Sequence, residues 1–370
     1  MLFKNQSIFR INNQIITTKQ TTDKQNNKQN NKQKELYIMA NLKMRFSKKS
    51  IIALICAACA TVSLAACGSS QKSSNASSKE DAGTMRVAYL STANYLTTLK
   101  NEKFLQEEFG KSKVVYTGPY TPVDGLTAVM SGNADATTTG TGRFIDLIAE
   151  GQPWVAFALE YYNGDSQGIV ASAKSGVKTL KDLYGKKVAI IHNGDTGDYM
   201  LHRAFDKSGL DVSKVNKVEM SPKNFQAAFT SGQIDAISSF NQNLAAAMTT
   251  PGAKLLVNAK KYGNMNVTIH IVSKSFAKKH PDLVKKMYKA LVREAEKSHK
   301  ENNVIGNAYK QLGASETIIK QIEKFDNPTI RPIDEKGLKM METQAKEYVK
   351  YGLIKQAPKN LKDSVMDCTK

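Results

Sequence analysis

The sequence predicts an α/β protein of two similar doubly wound lobes that meet at a central cleft. Three observations carry this expectation. From Thr84 short apolar runs alternate with helix-spaced segments, the βαβα rhythm of a mostly parallel sheet covered by helices on both faces. The rhythm restarts at Gly168. And the phrase A-V-M-S-G-N-A-D-A at 128–136 returns as A-F-T-S-G-Q-I-D-A at 228–236, each copy followed by a polar loop.

In the first lobe, M-R-V-A-Y-L reads as a strand ending in the loop S-T-A-N-Y. The segment K-N-E-K-F-L-Q-E-E-F-G has helical spacing, with Leu99, Phe104, Leu105 and Phe109 on one side and Gly110 as its stop. V-V-Y is a strand, P-V-D-G-L-T-A-V-M-S-G a helix closed by Gly132, and A-D-A-T-T-T the next strand. T-G-R-F-I-D-L-I-A-E-G and W-V-A-F-A-L-E-Y-Y add a helix and a strand.

The second lobe repeats the scheme. G-I-V-A-S-A and K-K-V-A-I-I-H are strands, and N-G-D-T-G-D-Y-M-L-H-R-A-F-D-K-S-G-L is a helix with a Gly-containing start. K-V-E-M leads to a helix begun by Ser221 as N-cap and Pro222 at its first position. I-D-A-I-S-S-F follows as a strand. Beyond V-T-I-H-I-V-S-K the chain becomes amphipathic helices, such as S-F-A-K-K-H-P-D-L-V-K-K-M-Y-K and D-E-K-G-L-K-M-M-E-T-Q-A-K-E-Y-V, whose apolar stripes face a core. The expected division is a first lobe at 84–174, a second at 175–265 and a return to the first at 266–370, with crossings near 171–177 and 264–270.

The N-terminal part reads differently. Residues 19–34 hold no large apolar side chain, and 1–43 is expected to be a disordered extension from an early start codon. Residues 44–66 offer a basic stretch, a short apolar run and small residues, the pattern of an export signal. Leu64-Ala65-Ala66-Cys67 resembles a bacterial lipobox, which would lipidate Cys67 and leave 67–83 as a Ser-rich tether. Cys56 and Cys59 would leave with the signal. Cys368 is then the one remaining thiol, too few for a disulfide framework or a cysteine-based metal site.

The net charge of +20 falls to about +11 once residues 1–66 are set aside. The remaining lysines are scattered along helices and form no aromatic-interleaved stripe, which argues against nucleic acid as a partner.

Ligands of open α/β sheets bind off the carboxyl ends of the strands. Those loops are Ser91–Tyr95, Thr117–Thr121, Thr137–Arg143, Glu160–Gln167, His192–Tyr199 and Ser238–Asn243. Several run straight into helices, whose first N–H groups suit a small anion; the same Ser and Thr residues also serve as plain N-caps. Catalytic patterns are weaker. Gly164–Gly168 matches G-x-S-x-G, but a strand rather than a helix follows it. The five histidines have no metal-ligand spacing, and no phosphate loop is present.

The chain resembles the nitrate/sulfonate/taurine branch of the solute-binding proteins of ABC importers. The likeness rests on Thr139-Gly140, D-L-x-G-K-K-V-A at 182–189, Gly194, Thr196 and Tyr199 in G-x-[ST]-x-x-Y, R-A-x-x-K-x-G-L at 203–210, S-P-x-x-x-x-A-A-F-x-S-G-x-x-D-A at 221–236, and S-x-x-F-A-x-K-H-P-D-L-V at 273–284. It covers about 85–365. The resemblance implies a type II periplasmic-binding fold whose hinged lobes close over a sulfonate-like ligand. It further implies docking on a membrane permease served by an ATPase, a monomer with no cofactor, no metal and no catalysis, and residence on the outer face of a cell membrane of Gram-positive type. Ligand contacts carried over from it are Thr139, Gly140, Gly194, Thr196 and Tyr199; Asn94, Tyr95, Tyr120, Glu160, Phe240 and Asn241 are candidates by loop position.

Two departures matter. Asp195 and Asp198 stand where relatives commonly have serine and histidine, and Phe240-Asn241-Gln242 stands where many have W-D-P. Two carboxylates beside an anion would repel it unless they point away or meet a cationic group, which makes Asp195 a candidate contact for a zwitterion such as taurine. Two rival readings accompany this one. The first is transport of nitrate or of a thiamine-type pyrimidine stacked between Tyr95, Tyr120 and Phe240. The second is an enzyme like the pyrimidine synthase of thiamine biosynthesis, which uses a cysteine-rich motif this chain lacks.

Overall fold

The computed structural model describes residues 83–263 and 267–370. The expected extension, export signal, Cys67 and the tether up to residue 82 lie outside the described residues. The chain begins with β1 (Thr84–Leu90), α1 (Tyr95–Thr98), α2 (Phe104–Phe109), β2 (Lys113–Tyr120), α3 (Pro122–Met130), β3 (Ala136–Gly140), α4 (Thr141–Ala149) and β4 (Trp154–Tyr161). Next come β5 (Gln167–Ala171), β6 (Lys187–Ile190), α5 (Thr196–Lys207), β7 (Asn216–Glu219), α6 (Pro222–Ser231), β8 (Ala236–Phe240), α7 (Asn241–Met248) and β9 (Lys254–Asn258). It continues with β10 (Thr268–Ser273), α8 (Lys274–Lys279), α9 (Pro281–Glu301), α10 (Val304–Gln311), α11 (Glu316–Ile322), β11 (Thr329–Arg331) and α12 (Glu335–Lys350).

The strands form two sheets, ordered β11-β4-β10-β3-β1-β2 and β7-β6-β8-β5-β9. In each, three strands run parallel and the next, β10 or β5, runs antiparallel. Those two strands arrive from the other lobe without a crossover helix, so nothing imposes the parallel direction on them. Apolar side chains bury both faces of the first sheet, with Phe157 and Val272 in one cluster and Phe144 and Ile271 in another. The second sheet is covered likewise, by Leu201 and Phe205 on one side and Phe225 and Phe229 on the other.

The repeated phrase does the same work twice. The hydroxyls of Ser131 and Ser231 each donate to the carbonyl of Ala128 or Ala228 at 3.1 Å. Gly132 and Gly232 follow with φ of 76° and 80°, the left-handed turn that ends a helix without a Cβ clash. The carboxylate of Asp135 then accepts the N–H of Arg86 at the start of β1, at 2.8 Å, and that of Asp235 accepts the N–H of Lys187 in β6 at 2.9 Å. Both aspartates finally accept, through their carbonyls, an N–H of the antiparallel neighbour's segment: Ser273 at 3.0 Å and Ser172 at 2.8 Å.

The first crossing differs from the expectation. β5 is hydrogen bonded between β8 and β9, so the chain changes sheets between Tyr161 and Gln167, ahead of the 171–177 stretch. The polar run after Ala171 is a turn inside the second lobe, and the pairing of β5 with a strand far along the chain leaves no local mark. The return lies between Asn258 and Thr268. Pro281 splits the expected lysine-rich helix into α8 and α9, since its ring cannot continue a preceding turn.

Most of the terminal helices pack on the first lobe, α9 against α1 and α2 and α12 against α4. α11, however, packs on α7 of the second lobe, joining Ala93, Ala245, Tyr309 and Ile322 in one apolar cluster.

Candidate functional site

Three strands of the first sheet place a chain of polar side chains on one face. Thr138 of β3 stands opposite His270 of β10, and Glu160 of β4 lies diagonally beyond. The Thr138 hydroxyl and His270 Nδ1 are 2.8 Å apart, and His270 Nε2 is 3.1 Å from Glu160 Oε2. The same oxygen accepts the Tyr95 backbone N–H at 2.8 Å. All three side chains are buried, with Glu160 3% exposed.

Glu160 lines a cavity of about 40 Å³, room for roughly three waters at ~10–15 Å³ each. Ala93 and Glu160 reach it from the first lobe, Ser166 and Asn241 from the second, and Tyr309 closes it with the 322–328 stretch. Asn241 opens α7 with a φ of 45°, a left-handed backbone that asparagine tolerates, and its N–H donates to the Ser166 carbonyl at 2.7 Å.

The second-lobe loop before α5 is built inward. Gly194 turns with φ 78°. Asp195 caps α5, accepting the Asp198 N–H at 2.7 Å and the Ile191 N–H at 3.1 Å, while burial pushes its carboxyl well above the usual range. Asp198 is 0% exposed; it accepts the Gly194 N–H at 2.9 Å and pairs with Lys217 Nζ at 2.9 Å. The same ammonium lies 3.2 Å from His202 Nε2. Burial lowers the His202 pKa, which favours the neutral ring that accepts from Lys217. Both aspartates therefore serve the helix start, and Asp195, expected to meet a ligand, accepts a backbone N–H on each of its oxygens.

The far flank of that loop rests on α12. The Tyr348 hydroxyl donates to the Gly194 carbonyl at 3.1 Å, and the Tyr348 and Tyr199 rings stack with centroids 5.1 Å apart. Tyr199 donates to Glu347 at 2.5 Å, and Arg203 forms an ion pair with the same carboxylate. Lys350 and Tyr351 both hold Asp206, at 2.7 and 3.0 Å. Gly142, at the start of α4, lies so close that a Cβ would fall 1.7 Å from the Tyr348 hydroxyl.

The expected site residues thus separate into groups. Glu160 and Asn241 line the cavity. Asn94 and Tyr95 lie behind it: Asn94 caps α1 by accepting the Thr97 N–H at 3.1 Å, and the fully buried Tyr95 donates its hydroxyl to the Pro328 carbonyl at 2.8 Å. Thr139 is buried in β3 opposite Ile269, and Gly140 is the partly buried residue before α4. Gly194, Asp195, Thr196 and Tyr199 belong to the α5 start and its contact with α12, outside the cavity wall. Tyr120 ends β2, and Phe240 precedes α7 without lining the cavity. The stacking platform of Tyr95, Tyr120 and Phe240 is therefore not assembled, because the Tyr95 ring is spent in the core.

Sequence reasoning missed His270, Tyr309 and the 302–328 wall. His270 has no histidine neighbour in the chain, and α10, which carries Tyr309, is too short to announce itself by periodicity. Asp165 and Ser166 of the G-x-S-x-G pattern lead into strand β5, without the helix an elbow requires.

Comparison with known proteins places these features. A family model described as NMT1/THI5 like matches residues 113–301. An Escherichia coli (strain K12) protein assigned to aliphatic sulfonate binding is 24% identical over 196 residues, 53% of this chain and 61% of that one. The taurine-binding periplasmic protein of the same organism is 26% identical over 168 residues, 45% of this chain and 51% of that protein. The match spans less than two thirds of the length of either relative. Among solved structures, the alkanesulfonate-binding protein SsuA from Xanthomonas axonopodis pv. citri, bound to MOPS, superposes with a TM-score of 0.68 at 21% identity, covering 76% of this chain and 98% of that one. This chain shares that two-lobed periplasmic-binding fold.

Proposed function

The chain belongs to the NMT1/THI5-like family, and from that membership we propose that it is the extracytoplasmic receptor of an ABC importer. It captures a small sulfonate-like solute, taurine or an alkanesulfonate, between its lobes and delivers it to a membrane permease and its ATPase. The supporting observation is the cavity to which Ala93 and Glu160 of one lobe and Ser166 and Asn241 of the other contribute. A site shared by two lobes is one that lobe movement opens and closes.

In this reading the segments 162–165 and 259–263 belong to the hinge, and 84–161 with 268–370 forms one lobe around 166–258. Cys67 carries the lipid that holds a monomer to the outer face of the membrane, and the protein binds its solute without transforming it. The sulfonate-binding and taurine-binding relatives support the ligand class.

Thermal unfolding of the full chain against taurine, ethanesulfonate, nitrate and an aminomethylpyrimidine tests the reading. A ligand at 100 times its Kd stabilises a fold by about 2.7 kcal/mol, a shift such an assay resolves. Stabilisation by a sulfonate supports the receptor; a response to the pyrimidine or nitrate alone overturns the ligand class.

A further inference from the structure

We infer that the cleft receives the protonated amine of its ligand on Glu160, so that the cargo is an amine-bearing, zwitterionic compound rather than a simple anion; the inference rests on the receptor reading above and deepens it. Glu160 is 3% exposed and lines the cavity, yet both bonds it accepts fall on Oε2, from the Tyr95 N–H and from His270. Among the described residues nothing donates to Oε1. No lysine or arginine of the described residues pairs with the carboxylate either; its one ion-pair-distance neighbour is His270 Nε2, at 3.1 Å.

That histidine is also held from its far side. The Thr138 hydroxyl lies 2.8 Å from His270 Nδ1, and Nε2 faces Glu160 Oε2 at 3.1 Å. Both contacts fix the carboxylate through Oε2 and leave Oε1 without a donor among the described residues. A buried carboxylate oxygen left in that condition is costly unless a donor meets it.

The rest of the wall favours a cation as well. Glu323 adds a carboxylate, Asp326 adds one that pairs with Lys260 at 3.6 Å, and the lining itself contains no lysine, arginine or histidine. Tyr162, Tyr309 and Phe325 give aromatic faces, which attract an ammonium group through the ring quadrupole. The Asp195 and Asp198 carboxylates, by contrast, are satisfied internally and leave the cation requirement to Glu160 alone.

Isothermal titration of the full chain with four probes tests this: taurine, ethanesulfonate, β-alanine and propionate. The first and third carry the amine; the second and fourth lack it. Each amine-bearing probe is expected to bind at least about tenfold tighter than its amine-free partner, and Glu160→Gln, which keeps the shape and the bond from Tyr95, should bring each pair within about threefold. Ethanesulfonate binding as tightly as taurine overturns the inference and leaves the receptor reading standing. Binding of β-alanine with no response to either sulfonate keeps the amine site and overturns the sulfonate class. No binding by any probe overturns both. The comparison of probes on the unaltered protein decides the matter even if the variant fails to fold.

Discussion

Tyr199 of α5 and Tyr348 of α12 stack face to face, 5.1 Å between ring centroids, and so bind the second lobe to the last helix of the chain. Around them Glu347 accepts from Tyr199 and pairs with Arg203, whose side chain is 9% exposed. The polar clamp of α5 with α12 and the apolar contact of α11 with α7 thus both tie the second lobe to C-terminal helices. Replacing Glu347 by alanine leaves the Arg203 guanidinium buried and unpaired, at a cost of about 3 kcal/mol, the lower end for breaking a buried pair. Urea unfolding of Glu347→Ala beside the unaltered chain measures it. An unchanged midpoint would show that the clamp contributes nothing to the described arrangement.

Gly142 is where α4 admits that clamp. A methyl there would meet the Tyr348 hydroxyl at 1.7 Å and its ring carbon at 2.3 Å, so the ring must move. Gly142→Ala should destabilise by about 2–3 kcal/mol, as overpacking does, although alanine is the better helix former. Truncating the ring with Tyr348→Ala should make the same glycine substitution close to neutral. A double-mutant cycle with no coupling between the two positions would refute the contact.

Much of this architecture is legible in the chain, and the unread part has a common cause. The twin phrase locates α3–β3 and α6–β8 as equivalent joints because a helix stop and an inward aspartate are local features, written in adjacent residues. Pro222 at the first position of α6 is local too. His270 could be assigned no partner, since its contacts with Thr138 and Glu160 arise from three strands brought side by side from 136–140, 154–161 and 268–273. Tyr348 likewise meets Gly142 and Gly194 only through the packing of α12. The loops Gly194–Tyr199 and Ser91–Tyr95 have the composition of anion sites, yet Asp195 and Asn94 use that chemistry to cap their own helices.

Stability should depend on pH through Glu294 of α9. It is fully buried, accepts the Thr98 hydroxyl at 2.5 Å on one oxygen and leaves the other without a partner. Burial pushes its carboxyl up to about 7. A carboxyl raised in the folded state favours the protonated form, so its stabilising contribution is complete below ~4.5 and is lost as pH rises toward 7. Urea midpoints should therefore fall between pH 5 and pH 8, and Glu294→Gln, permanently neutral, should make that slope shallower, leaving the share that the raised Asp195 carboxyl contributes. A slope unchanged by the substitution would assign it to other groups.

The pairing of Lys217 with Asp198 gives the last prediction, because it separates a structural charge from a ligand charge. Asp198 is 0% exposed, and its countercharge is Lys217, with the neutral His202 ring 3.6 Å away. Lys217→Met removes the ammonium and strands the carboxylate, which should cost about 3 kcal/mol in urea unfolding. Adding Asp198→Asn should recover much of that loss, since an amide needs no counter-ion and still accepts the Gly194 N–H. Neither variant should alter the preference between taurine and ethanesulfonate, because the pair faces the interior of the α5 start and not the cavity beside Glu160. Were Lys217→Met to change that preference while folding normally, the loop would have to be a ligand contact after all, and the cation-receiving role would shift from Glu160 toward Asp198.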